Sequence, residues 1–81
     1  MVDQSNHAQL VAAFGRRIFG DAWGAGLARL AGVNPRTMTR IAAAARDGRD
    51  YPAARGVLAA LHQALAPIVA ELADHAREGD R

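Results

Sequence analysis

Two arginines four residues apart are the side chains of this sequence best suited to recognising a ligand. Arg36 and Arg40 fall in a predicted helix at 35–46, where their spacing puts them on one face. A guanidinium carries a planar fork of donors that matches the paired acceptors of guanine in the DNA major groove. Thr37 and Thr39 lie beside them and can donate to phosphate or contact a thymine methyl. We therefore predict that this helix reads bases, against the simpler interpretation that it is a solvated charged face.

The residues that flank this helix suit phosphate better than bases. Arg46 and Arg49 lie at its end and in the following loop, and Asn34 can both cap its start and contact phosphate. Charge is divided along the chain: residues 16–55 contain eight arginines and three aspartates, whereas residues 56–81 contain two arginines and four acidic residues. A basic middle is typical of a phosphate-binding surface. Weaker phosphate candidates, which can also pair with surface aspartates, are Arg16, Arg17, Arg29 and Arg55.

Catalysis finds little support in the sequence. The absence of cysteine excludes thiol catalysis, disulfides and cysteine-based zinc sites. Glu71, His75 and Glu78 share a helix face and could in principle hold a metal, but a solvated face with a favourable charge pair is the preferred interpretation. We identify no nucleophile–base pair, phosphate loop or carboxylate pair. The prediction is therefore a protein that is not an enzyme, with no metal, cofactor or small-molecule ligand.

A tight turn must position the arginine-bearing helix. Gly32 follows an apolar helical pattern and can adopt the left-handed conformation that ends a helix. Asn34 is a favourable N-cap, and Pro35 at the first helical position loses no hydrogen bond. The chain is thus expected to end one helix and begin another within about three residues, the spacing of a helix-turn-helix.

This stretch resembles the helix-turn-helix of the lambda-repressor-like family of phage and bacterial regulators. The matching residues are Leu27, Ala28, Gly32, Val33, Met38 and Ile41. The resemblance implies a helix-turn-helix at 23–46 and symmetric pairs bound to a palindromic operator in double-stranded DNA. In this family a polar residue at the start of the first helix often touches phosphate. Gly24 stands there in this chain and can make that contact only through its backbone N–H.

The N-terminal segment is predicted to support the helix pair. A helix should begin at Asn6, with Gln9 completing a capping box. Its expected apolar face consists of Leu10, Val11, Phe14 and Ile18. Trp23 is predicted to pack on Phe14 and Ile18, with stacking on a nucleic-acid base as the alternative. Asp21 is the expected cap of the second helix. Gly15 is either tolerated in the first helix or lets another helix approach closely.

The helix at 35–46 should bury Met38, Ile41 and Ala45, which recur at spacings of three and four. Asp47 and Gly48 are expected to end it. Tyr51 in the following loop is predicted to anchor that loop on the core, with a hydroxyl contact to phosphate as the alternative.

The C-terminal region 53–78 is predicted to be helical, with an apolar stripe longer than one small core needs. Pro67 should either kink this helix or begin a new one. The stripe can cover the core throughout, or its distal part can pair with a second copy. We favour a homodimer, with candidate contacts at Leu65, Ile68, Val69 and Leu72.

Length and composition favour one small all-α domain over residues 1–81. The chain has 81 residues, half of them hydrophobic, and alanine is common. The expected architecture is a four- to five-helix bundle containing a helix-turn-helix, with a C-terminal helical dimerisation region. No apolar run is expected to reach the length of a membrane span, and no signal-peptide pattern opens the chain, which predicts a cytoplasmic protein without membrane contact.

Two functions fit these features. The first is a sequence-specific transcriptional regulator, a dimeric repressor acting on its own or a neighbouring promoter. The alternative is a protein-interaction module, such as an antitoxin or phage accessory protein, that uses the C-terminal stripe to cover a partner. A repressor requires the arginine-bearing helix to be exposed, whereas an interaction module could bury that helix and expose the stripe.

Overall fold

Four α-helices account for the secondary structure of residues 6–79, which are the residues that the computed structural model describes. They are α1 (His7–Phe19), α2 (Trp23–Ala31), α3 (Pro35–Arg46) and α4 (Ala53–Gly79). The predicted all-α class is confirmed. Pro67 lies inside α4 and begins no new helix, so the described residues form four helices rather than five.

Each helix contacts the other three around one apolar core. The largest fully buried side chains are Leu27, Met38, Ile41 and Val11. Alanines on all four helices are also buried, and their small side chains let the helix backbones approach closely. The packed part of the molecule therefore joins α1, α2 and α3 to the first half of α4, where Ala54, Val57 and Leu61 are buried.

The ring of Trp23 packs directly on the backbone of α1 at Gly15. A Cβ atom added to Gly15 would lie 2.5 Å from Cε3 of Trp23, which is too close for any side chain. Trp23 is only 6% exposed, so its predicted place in the core is confirmed. Phe14 and Ile18 are 41% and 44% exposed, and their predicted place in the core is wrong. The buried side of α1 presents Val11, as predicted, together with Gly15 and small alanines, because that side admits the indole ring.

The helix starts are capped in different ways. In α1, Asn6 Oδ1 accepts from Gln9 N–H at 2.9 Å and Gln9 Oε1 accepts from Asn6 N–H at 3.1 Å, which confirms the predicted capping box. In α2 the N-cap is Ala22, without a side-chain cap, so the prediction that Asp21 caps α2 is wrong. The chain enters α2 through Gly20 at φ 81°, which leaves Asp21 two residues before the helix.

A polar clasp joins the start of α1 to the loop between α3 and α4. Asp50 accepts from Ala8 N–H at 3.2 Å and lies 3.5 Å from His7 Nδ1. Asn6 Nδ2 also donates to the carbonyl of Gly48 at 3.3 Å. Partial desolvation raises the pKa of Asp50, but hydrogen bonds from Ala8, Tyr51 and His7 outweigh it and leave that pKa below its ordinary value of 3.8. The predicted anchoring of the loop by Tyr51 agrees with its half-buried position against the core.

The length and composition of α4 contradict the expectation that no apolar segment is as long as a membrane span. Within Ala53–Glu78 an 18-residue window reaches a mean hydropathy of 1.5, so α4 is long and apolar enough to cross a membrane. Core helices of soluble proteins pass the same test, so length and composition alone do not assign α4 to a membrane. Only 11% of this apolar window is buried within the described structure.

The contact between Gly15 and Trp23 predicts a large asymmetry between two Gly→Ala substitutions. Gly15→Ala should lower the free energy of unfolding by about 1–2 kcal/mol, because overpacking outweighs the gain in helix propensity. Gly56→Ala, in α4 with nothing within 4 Å of the added Cβ, should raise it by about 0.5–1 kcal/mol. Urea unfolding of both variants measures the difference, and a stabilised Gly15→Ala would contradict the packing described above.

The clasp predicts a specific dependence of stability on pH. Because folding lowers the pKa of Asp50, its stabilising effect is fully present above 3.8 and is lost as the pH falls below that value. Asp50→Asn should therefore be less stable than wild type at pH 7, and the difference should shrink on acidification. Urea unfolding across this range tests it, with Asp21→Asn as the control for loss of one aspartate charge. Parallel curves for wild type and Asp50→Asn would show that the ionisation of Asp50 contributes nothing to stability.

Candidate functional site

The connection between α2 and α3 has the predicted turn geometry. Gly32 is left-handed, at φ 69° and ψ 35°, and Val33 N–H donates back to the carbonyl of Ala28 at 2.8 Å. Asn34 Oδ1 accepts from Arg36 N–H at 2.8 Å, and Pro35 opens α3. These contacts fix the start of α3 within one turn of the end of α2, so the first side chains of α3 leave from a well-defined backbone.

The inner side of α3 is held by the core. Met38, Ile41 and Ala44 are buried, whereas Ala45, which was predicted to face inward, is only half-buried. Ala45 still packs against the edge of the core, and Ala44 is more deeply buried because it lies three residues after Ile41 on that side of the helix. The opposite side of α3 is thereby turned to solvent.

Three of the four predicted base-reading residues lie on this exposed side. Arg36, Thr39 and Arg40 are exposed, whereas Thr37 is half-buried and faces solvent only in part. The reason is helical periodicity, since Thr37 lies four residues before the buried Ile41. Thr39 Oγ1 donates to the carbonyl of Pro35 at 3.0 Å. Its methyl group and the free lone pair of its oxygen remain available for contacts outside the protein.

The arginines of the site differ in their ion pairing. Within residues 6–79, no carboxylate oxygen lies within 4.0 Å of Arg36, Arg40 or Arg46. Arg49, by contrast, donates to Asp47 Oδ2 at 3.0 Å. Both partners of that pair are more than 60% exposed, and such surface pairs contribute about 0–1 kcal/mol. Asp47 would therefore compete only weakly with phosphate for Arg49.

A groove of about 450 Å³ brings together predicted phosphate-contacting residues from three helices. Gly24 of α2 and Arg46 of α3 line it, together with Thr39 and with Arg16 of α1. The first N–H groups of α2 point away from the helix body and receive no side-chain cap, so Gly24 N–H can serve as a donor. From the sequence, Arg16 is only a weaker candidate for a phosphate contact. No local sequence pattern predicts that the end of α1 lies beside α3. Asp21 also lines the groove and reduces its positive charge.

The distal part of α4 is exposed. Ile68, Val69 and Leu72 are 43%, 59% and 63% exposed, and Leu65 is half-buried. These are the predicted dimer contacts, and their exposure leaves an apolar surface that the described residues do not cover. On the neighbouring face, His75 lies 3.3 Å from Glu78 and 4.0 Å from Glu71 in a solvated arrangement. Residues 6–79 contain no group of three or more His, Cys, Asp or Glu that could hold a metal ion.

Comparison of the chain with protein-family models, curated proteins and solved structures gives no match. The resemblance to lambda-repressor-like regulators therefore depends on the α2–α3 stretch alone. Of its six matching residues, Leu27, Ala28, Met38 and Ile41 are buried, Val33 is half-buried and Gly32 forms the left-handed turn. Membership of that family stays a prediction.

The capping role of Asn34 can be separated from any contact it makes with a ligand. Asn34→Ala should lower the free energy of unfolding by about 1 kcal/mol, because the first turn of α3 loses its side-chain acceptor. Asn34→Asp keeps an acceptor oxygen at the same place and should be close to wild type in stability. Urea unfolding of the pair tests the cap, and an Asn34→Ala variant as stable as wild type would contradict it.

Proposed function

We propose that this protein is a sequence-specific double-stranded DNA-binding transcriptional regulator in which α2 and α3 act as a helix-turn-helix. The observation that carries the proposal is the solvent-facing side of α3. Arg36 and Arg40 are exposed there, four residues apart, with no carboxylate partner among residues 6–79. An exposed, unpaired guanidinium is suited to meeting an acceptor pair on another molecule.

The spacing of the two arginines suits base pairs that are two steps apart. Arg36 and Arg40 are separated by about 6 Å along the helix axis, close to two base-pair steps of about 3.4 Å each. In the major groove each guanidinium can donate to O6 and N7 of a guanine. Thr39 lies to one side of them on the same exposed surface, with its methyl group free for a thymine. Base reading is therefore assigned to these three residues, and the half-buried Thr37 becomes a minor candidate.

Phosphate contacts would hold α3 in register along the duplex. Arg46 and Arg16 line the groove beside α3, and Gly24 contributes an N–H group from the start of α2. Asn34 uses its oxygen for the cap, which leaves its amide N–H groups for phosphate. Arg49 can exchange its exposed partner Asp47 for phosphate at little cost.

The proposed working form is a homodimer on a palindromic operator, acting as a repressor at its own or a neighbouring promoter. Two copies would present their α3 helices about one DNA turn apart. The exposed residues Ile68, Val69 and Leu72, together with Leu65, supply apolar surface for pairing. A cytoplasmic location, without a small-molecule ligand, is part of the same proposal.

A second candidate function is an interaction module, such as an antitoxin or phage accessory protein, and the same exposed stripe favours it. The exposure of α3 meets the condition set for a repressor, while the exposure of distal α4 is required by both functions. DNA binding separates them, because an interaction module has no need of the arginine-bearing face of α3.

Substitution of the two arginines is the direct test of base reading. Arg36→Ala or Arg40→Ala should cost about 1–3 kcal/mol on the operator and much less on scrambled DNA. The operator would first be found by footprinting DNA from upstream of the protein's own gene. Titration of both DNAs with each variant measures the effect, and a thermal melt should show nearly unchanged folding because neither side chain faces the core.

Arg55→Ala is the matched control, since it removes an exposed arginine that lies on α4 rather than on α3. It should affect the two DNAs alike, and only weakly. Equal losses on operator and scrambled DNA for Arg36→Ala and Arg40→Ala would make those residues phosphate contacts. Unchanged binding in both variants would show that α3 is not the reading helix.

A further inference from the structure

Two exposed apolar surfaces of the chain are flanked by residues of opposite charge. The first, here called the α1 ridge, consists of Phe14 and Ile18, one turn apart on α1 and each about 40% exposed. Arg17 lies beside the ridge, and α1 contains no acidic residue. The α1 ridge is therefore an apolar strip with a positive edge.

The second surface is the distal half of α4, residues 66–78, here called the α4 arm. Every residue of the arm is exposed, including Ile68 and Leu72, which are also one turn apart. The arm contains three acidic residues and one arginine, Arg77, which is ion-paired with Asp74. Glu71 and Glu78, seven residues apart, form a negative edge beside the stripe.

We propose that in the dimer the α4 arm of each copy covers the α1 ridge of the other. This deepens the proposed function by naming its dimer interface, and rests on that function only for the existence of a symmetric pair. The charges are complementary, since Arg17 would meet Glu71, whereas two α4 arms lying side by side would bring their acidic edges together. Reciprocal exchange also closes the assembly at two copies.

The shapes of the two surfaces agree with this pairing. The arm and α1 each contain 13 residues, so both are about 20 Å long. Both present large side chains at a spacing of four, the pattern that interdigitates when helices pack ridge into groove.

Cross-linking tests the pairing directly, because the chain has no cysteine of its own. Ile18→Cys and Leu72→Cys are made in separate chains, one with a mass tag, mixed and treated with a short bismaleimide in the absence of DNA. The expected product is the mixed dimer, with little Leu72–Leu72 product from Leu72→Cys alone. Efficient Leu72–Leu72 linkage without the mixed product would overturn the proposal in favour of arm–arm pairing, and a monomer in sedimentation with no cross-link would overturn it altogether.

A charge exchange provides a second test that leaves the apolar residues intact. Arg17→Glu should weaken dimerisation about tenfold, since two symmetric attractions become repulsions. Arg17→Glu combined with Glu71→Arg should restore it, while Arg29→Glu, on α2, should leave it unchanged. A double variant as weak as Arg17→Glu alone would count against the contact.

The two proposals can fail separately. A protein that gives the mixed cross-link but binds no DNA refutes the regulatory function and supports this interface. A protein that binds a palindromic operator as a dimer, yet cross-links only through Leu72, refutes this interface and supports the function.

Discussion

The packing of Trp23 on Gly15 is the contact on which the arrangement of the candidate site depends. The indole ring lies where any side chain at position 15 would be, which sets how closely α2 approaches α1. Gly15 is followed in the sequence by Arg16, and Trp23 is followed by Gly24. Both Arg16 and Gly24 line the groove beside α3. One steric fit in the core thus brings a cation and an uncapped helix start to the same surface, although they belong to different helices.

A second constraint acts on α3 from both ends. At its start, the left-handed Gly32 and the Asn34 cap determine where the helix begins. Beyond its end, Asp50 ties the loop to the first turn of α1 through Ala8 N–H and His7. A helix that presents arginines to a ligand gains affinity when little flexibility has to be lost on binding. The described structure supplies that rigidity with local hydrogen bonds and a single long-range clasp.

The two halves of α4 meet different requirements. Ala54, Val57 and Leu61 complete the core, and the same apolar stripe then continues past the packed part of the molecule to Ile68 and Leu72. Exposed apolar surface of this kind is typical of interaction sites, and it is the basis of the proposed dimer contact. The acidic residues that flank it oppose association with anionic membrane surfaces and favour a basic protein surface.

Features held by hydrogen bonds between near neighbours in the chain could be predicted from the sequence. These include the all-α class, the Asn6–Gln9 capping box, the turn at Gly32 and the bounds of α3, because the interacting groups lie within about four residues of one another. The exposure of Arg36 and Arg40 followed from the apolar period of the same helix. Such local rules apply to any chain with these residues, whatever surrounds them.

Only the tertiary structure decided which faces meet. The hydropathy pattern does not predict that α1 faces the core with Gly15 rather than with Phe14 and Ile18. Which side of α1 is buried depends on the fit of the Trp23 ring against the helix. The hydrogen bond from Ala8 to Asp50 joins residues 42 apart, and the groove is lined by residues of three helices. Neither feature can be predicted from a local sequence pattern. Helix formation is governed by neighbours in the sequence, whereas burial depends on the shape of surfaces that come together only on folding.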